Sequence, residues 1–229
     1  MKPTLRILSS LLLATLMSAG SLAQAPPPNP VFVNDSAEAA RMLRQARGDA
    51  VKNPSESIRL IQKILDEHDD TLHPDEAQIG RFTSVRQDAI ELLSSNPELW
   101  KRYESVESKR ANRLLEEGRL RRLVNTRSMT TAGLEALLML AQQNLEMGRL
   151  ATATSYLDEA LMHPQITDRD RWSATMMAAM AAHASSDVQR HETHMRELED
   201  AGEDARLWLD AMRRFTRSTP PERRRGRNS

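Results

Sequence analysis

The sequence predicts an all-α fold of antiparallel helix-turn-helix pairs stacked as a short solenoid, and three observations carry that prediction. The 229-residue chain is rich in Ala, Leu, Met, Glu, Gln and Arg, the strong helix formers. From residue 35 onward its apolar residues recur three and four apart, with no sustained alternation. Its 8 glycines and 11 prolines are too few for a sandwich or barrel that turns every ten residues or so.

Each element follows from a stripe and its boundaries. Ala39, Leu43, Ala46 and Ala50 form the first stripe. Asn53-Pro54-Ser55-Glu56 then starts a helix, with a capping amide, proline in the first turn and Glu three residues after the cap. Ile58, Ile61 and Leu65 line it, and it ends in the acidic run Asp66-Glu67-His68-Asp69-Asp70. Pro74-Asp75-Glu76 is expected to open the next helix, with Phe82, Val85, Ala89 and Leu92 on one face. Asn96-Pro97-Glu98 repeats the start signal before Leu99, Tyr103 and Val106, and Ala111, Leu114 and Leu115 lead on to Gly118. Leu120, Leu123 and Val124 mark a short helix. Leu134, Leu137, Leu138, Ala141 and Leu145 share the next face, which Gly148 stops; Leu150, Ala153, Leu157, Ala160 and Leu161 answer them up to Pro164. So short a connection forces these two helices to lie antiparallel and adjacent. Trp172, Met176, Ala179 and His183 follow, then Val188, His191, Met195 and Leu198, then Ala205, Trp208, Leu209 and Met212. Stripes this narrow are buried only when neighbouring pairs stack.

Residues 134–167 resemble a tetratricopeptide repeat, a helix-turn-helix unit of about 34 residues. Leu137, Leu140 and Ala141 match its first-helix packing positions, Gly148 its turn, and Ala153, Leu157 and Ala160 its second helix. Leu137 replaces the usual Trp, Asn144 stands where an aromatic is common, and Pro164 falls one position early. Across residues 31–165 there is a broader likeness. Val31-Phe32-Val33-Asn34-Asp35-Ser36, Phe82-Thr83-Ser84-Val85-Arg86 and Leu114-Leu115-Glu116-Glu117-Gly118 are similar to the helical N-terminal module of exported bacterial proteins that continue into a PQQ-like (quinoprotein-type) β-propeller. No blade-like strands or repeated Gly/Trp turns follow here, so the propeller's cofactor role is not carried over. The expectation is a short relative or an N-terminal fragment.

The two ends carry different messages. Residues 1–23 read as a secretory signal: Lys2 and Arg6, an apolar run over 7–19, then Ser21-Leu22-Ala23 with small residues where signal peptidase looks. Cleavage is expected after Ala23, which places the protein in the periplasm or outside the cell, with no transmembrane segment after cleavage. Residues 24–34 form a Pro-rich spacer, 35–216 the helical domain, and 217–229 a disordered tail bearing Arg223, Arg224, Arg225 and Arg227. The formal charge is zero overall, so a positive leader and tail leave an acidic body, which argues against nucleic acid as the partner. Cysteine is absent, which excludes disulfides, thiol nucleophiles, Cys-based zinc or iron–sulfur sites and a lipoprotein anchor.

Candidate chemistry is sparse. His191 and His194 share a helical face but lack the H-E-x-x-H pattern. The acidic run with His73 and Asp75 lacks the glycine and closing Glu of a calcium loop. The glycines are scattered singly, so no phosphate loop or dinucleotide fingerprint exists. Met176, Met177 and Met180 read as adaptable packing, and Trp100, Trp172 and Trp208 as core. The sequence therefore predicts no catalytic residue, no metal and no cofactor. It predicts an exported protein that binds a protein or peptide. The family's concave positions fall on Glu135, Leu138 and Gln142, with Arg169, Trp172 and Met176 by the same spacing in the next pair. The tail arginines are candidates for an anionic envelope surface, which is the alternative role as a targeting adaptor.

Overall fold

The computed structural model describes residues 36–68, 70–74 and 81–218. The leader, the spacer, Asp75 and the tail arginines lie outside the described residues. The described chain is mostly helical. Its helices are α1 (Ala37–Lys52), α2 (Pro54–Glu67), α3 (Val85–Ser94), α4 (Pro97–Glu116), α5 (Leu120–Arg127), α6 (Thr131–Glu146), α7 (Leu150–Leu161), α8 (Asp168–Ala184), α9 (Val188–Asp200) and α10 (Arg206–Ser218). A 3-10 turn, Gly202–Ala205, precedes α10.

Side-chain caps set most of the starts. Asn53 Oδ1 accepts from Glu56 N at 3.4 Å and Asn96 Oδ1 from Leu99 N at 3.1 Å, as the two Asn-Pro signals predict. Thr130, Thr167 and Asp187 do the same for α6, α8 and α9. Gly118 and Gly148 end α4 and α6 with φ of 67° and 70°. In both turns the residue after the glycine donates its N–H to the carbonyl five residues back: Arg119 to Leu114 at 2.9 Å, Arg149 to Asn144 at 2.8 Å. The α8–α9 turn has the same shape, with Asp187 N on Ala182 O at 2.9 Å, but there the left-handed residue is Ser186, at φ 60°.

One element departs from the expectation. Pro74 does not open a helix; it ends strand β1 (Leu72–Pro74), which pairs antiparallel with β2 (Phe82–Ser84) in the register Leu72↔Ser84, His73↔Thr83, Pro74↔Phe82. Each strand is three residues long, too short for alternation to show. Phe82 is accordingly 41% exposed on the ribbon, and α3 begins after Ser84, burying Val85, Ala89, Ile90 and Leu93.

The core falls into successive clusters. Leu43, Ile61, Ile64, Leu65, Leu93, Leu99 and Tyr103 lock α1 to α4 together. Leu123, Leu137 and Leu140 join α4, α5 and α6. Ala141, Leu157, Ala174 and Ala178 join α6, α7 and α8. Leu198, Ala205 and Leu209 close the far end, with Trp172 and Met176 packed on them. All six packing positions expected of 134–167 are buried, and Asn144 is buried too, donating Nδ2–H to Leu140 O at 2.7 Å. Two stripes are displaced. Val106 is 57% exposed while its neighbour Glu107 is buried, and Val188 is 64% exposed while His194 turns inward.

Candidate functional site

A groove of about 730 Å³ lies between α2 and α4. Helical spacing builds both walls. Ile58, Arg59, Gln62, Lys63 and Asp66 repeat every three or four residues on α2, as do Glu98, Lys101, Arg102, Ser105 and Val106 on α4. The rims are ion pairs that hold the long side chains apart: Arg59 with Glu56 at 2.7 Å, Lys101 with Glu98 at 2.9 Å, and Lys63 between Glu38 and Glu67 at 3.6 and 3.7 Å. Arg102 makes no ion pair among the described residues.

Beneath the groove lies a polar network that no hydrophobic pattern announces. Arg127 of α5 donates Nε–H to Glu107 Oε2 at 2.8 Å, and both are buried. Arg127 also reaches Thr126 Oγ1 at 2.9 Å and lies 3.6 Å from Asp66. Gln62 donates to Asp66 Oδ1 and to Thr126 O, both at 3.0 Å, so its oxygen faces the Tyr103 hydroxyl, which donates to it at 3.0 Å. Burial and the Glu107 charge push the Tyr103 phenol far above its ordinary range, so it stays a donor. Every polar group of this floor has a partner, which fixes the geometry of α2, α4 and α5 around the groove. Ser55 and Ser105 of the lining have no side-chain base bonded to them among the described residues.

A second cross-link ties the start of α3 to α5 and α7. Arg86 forks onto Glu159 of α7 at 2.7 and 3.0 Å and also donates to Val124 O and Ser128 Oγ. His163 stands nearby, buried, with its ring set edgewise to Trp100 at 6.2 Å. Its Nδ1 accepts from Gln165 N at 3.1 Å, while among the described residues Nε2 has no partner of good geometry, although the Met129 and Thr130 backbone lies close enough to favour its charged form. Burial pushes this imidazole down to about 4, so it is neutral near pH 7.

The residues predicted to bind fall into separate settings. Glu135 and Gln142 are exposed on α6, with Gln142 bonded to Glu146 at 2.9 Å. Leu138 is half-buried against the two central clusters, and Arg169 is exposed at the start of α8. Trp172 lines a different cavity, of about 520 Å³, with Leu161 of α7 and Glu197 and Asp200 of α9. Met176 packs with it on the terminal cluster. None of these six lines the α2–α4 groove. That groove was missed because both walls carry charge pairs and α4 adds a valine expected inside; the signal available was the Glu107–Arg127 pair, two charges on otherwise apolar faces.

His191 and His194 do not converge on one point: His191 Nδ1 bonds Ala179 O at 3.1 Å, and His194 Nδ1 bonds Glu197 at 3.0 Å. Among the described residues no group of three or more His, Asp or Glu is placed to hold a metal ion, and no helix is long and apolar enough to cross a membrane. The sequence matches no protein-family model, no curated protein and no solved structure.

Proposed function

We propose that this chain is an exported, non-catalytic helical-repeat protein of tetratricopeptide-like construction that binds a segment of another protein, and that the α2–α4 groove is its principal contact surface. The single observation that supports this most is the groove itself: a wide concavity over a floor of paired buried groups, with Val106 57% exposed on one wall. A rigid floor spares a bound segment the cost of ordering the site. Stems of Arg59, Lys63 and Lys101 offer apolar contact while their charged ends stay in water. A helix or extended peptide carrying one apolar anchor and flanking charges of both signs suits that lining.

The packing order favours the solenoid reading. From α4 onward each helix touches the next, and α4 touches α6, α6 touches α8 and α8 touches α10. Contacts between neighbours and next-neighbours are what stacked helix pairs require.

The test is selection of binding peptides from a displayed library with the full chain, followed by Val106→Glu and Arg102→Glu. Both sites are exposed, so melting should stay within about 0.5 kcal/mol of the parent. Peptides selected on the parent should lose binding to both variants and keep it to Glu135→Ala/Gln142→Ala. Retained binding by both groove variants, with loss on the α6 pair, would move the contact surface to α6. Export is checked separately by mass spectrometry of the mature protein, where an N-terminus at Gln24 is expected.

A further inference from the structure

Beside the groove, at the α4–α5 turn, lies a smaller cavity of about 250 Å³ lined by five arginines: Arg110, Arg113, Arg119, Arg122 and Arg127. Three carboxylates stand within ion-pair distance of them. Glu107 is held by the buried Arg127 at 2.8 Å, with Arg110 at 3.5 Å. Asp66 lies 3.6 Å from Arg127. Glu117 is shared by Arg113 at 2.9 Å and Arg119 at 3.4 Å, and Arg113, with Arg119 behind it, holds its carboxyl below the usual carboxylate range. Arg122 makes no ion pair among the described residues. The cavity therefore keeps an excess of guanidinium charge, a repulsive arrangement that a bound anion relieves.

The turn does not require these arginines. The same turn recurs at Gly148, thirty residues on, and there Arg110, Arg113, Arg122 and Arg127 have Leu140, Gln143, Thr152 and Leu157 as counterparts. Only Arg119 is repeated, as Arg149. Arg119 also occupies the capping position of α5 and offers no side-chain acceptor to its first-turn N–H groups, so the helix start adds donors to those of the arginines, and Glu117 is the carboxylate that shares the lining. Guanidinium forks match the oxygens of phosphate, and several converging forks suit a tetrahedral oxyanion better than one carboxylate.

We infer that this arginine cavity is a phosphate-binding site, whose ligand is a free phosphate or the phosphate of a lipid headgroup. Arg110 lines both this cavity and the α2–α4 groove, whereas Arg113, Arg119 and Arg122 line this cavity and not the groove.

The experiment is calorimetric titration of the full chain with inorganic phosphate, against sodium chloride at matched ionic strength, with thermal melts in both. Phosphate should bind saturably and raise the melting temperature where chloride does not. Arg122→Glu, an exposed site that supplies the missing counter-charge, should melt no lower than the parent yet bind phosphate roughly tenfold more weakly or worse. Arg196→Glu, an exposed charge reversal on α9, should bind as the parent does. Cosedimentation with phosphatidylglycerol or phosphatidylcholine vesicles separates the sources: retention that Arg122→Glu abolishes assigns a headgroup, and titration by inorganic phosphate alone assigns a free ligand. If phosphate acts no differently from chloride and vesicle retention ignores Arg122→Glu, the inference is wrong.

Discussion

Replacing Gly133 by alanine should weaken the protein even though the residue lies inside a helix. In the first turn of α6 a Cβ at this position would sit 2.3 Å from the Arg127 carbonyl oxygen and 2.4 Å from that of Ser128. Both neighbours are backbone, and the backbone there is tied down: Thr130 Oγ1 donates to Arg127 O at 2.8 Å, and Trp100 Nε1 donates to Met129 O at 2.8 Å. Relief requires moving the α5–α6 link and, with it, Arg127 of the groove floor. Overpacking of this kind costs ~1–3 kcal/mol, partly offset by the helix preference for alanine over glycine of ~1 kcal/mol. Because the neighbours cannot yield, the loss should dominate, at ~1–2 kcal/mol net, lowering the melting temperature by ~2–8 °C. Gly48→Ala is the matched control: it too is within a helix, but a Cβ there meets nothing within 4 Å. It should stabilise by ~0.5–1 kcal/mol. Urea melts followed by far-UV circular dichroism give both values. Equal signs for the two substitutions, or a Gly133→Ala protein as stable as the parent, would refute the reasoning.

Three further outcomes follow from the same packing. Ser186→Gly relieves a left-handed backbone at φ 60° and should stabilise by ~1 kcal/mol in the same melts; Gly118→Ala and Gly148→Ala should do the reverse. Arg86→Ala strands the half-buried Glu159 and should cost ~2–4 kcal/mol, with Arg86→Lys unable to restore the forked contact. His163 titrates near its ordinary value when unfolded and at about 4 when folded, so the unfolded chain binds the extra proton. Its contribution is intact above pH ~6.5 and is lost as pH falls toward 4, to the extent of ~2–3 kcal/mol. His163→Gln should lose less stability than the parent over that window, and an equal loss would show that another group governs the acid limb.

What the sequence discloses and what it hides divide along a physical line. Local signals were readable: Asn53 and Asn96 cap the helices they precede, Gly118 and Gly148 adopt the left-handed turns, and Leu137, Leu140, Ala153 and Leu157 are buried. These depend on residues a few positions apart. The β-ribbon was hidden because three-residue strands carry no period, and Pro74 reads as a helix start when the preceding turn is unknown. Glu107 was hidden because its partner Arg127 lies twenty residues away on another helix, so the hydrophobic stripe was drawn through Val106 instead. The arginine cavity gathers side chains from both sides of Gly118, and only the turn shows that they converge.

The buried face of α8 is made of Ala174, Thr175, Ala178, Ala179, Ala181 and Ala182, whereas α2 buries Ile58, Leu60, Ile61, Ile64 and Leu65. Branched side chains interlock as ridges in grooves and resist sliding; methyl groups let backbones approach closely but leave a shallow relief. The molecule is thus mechanically graded along its length. Tension applied between its ends would be taken up first by shear along the alanine seam, while the helices around the groove kept their register.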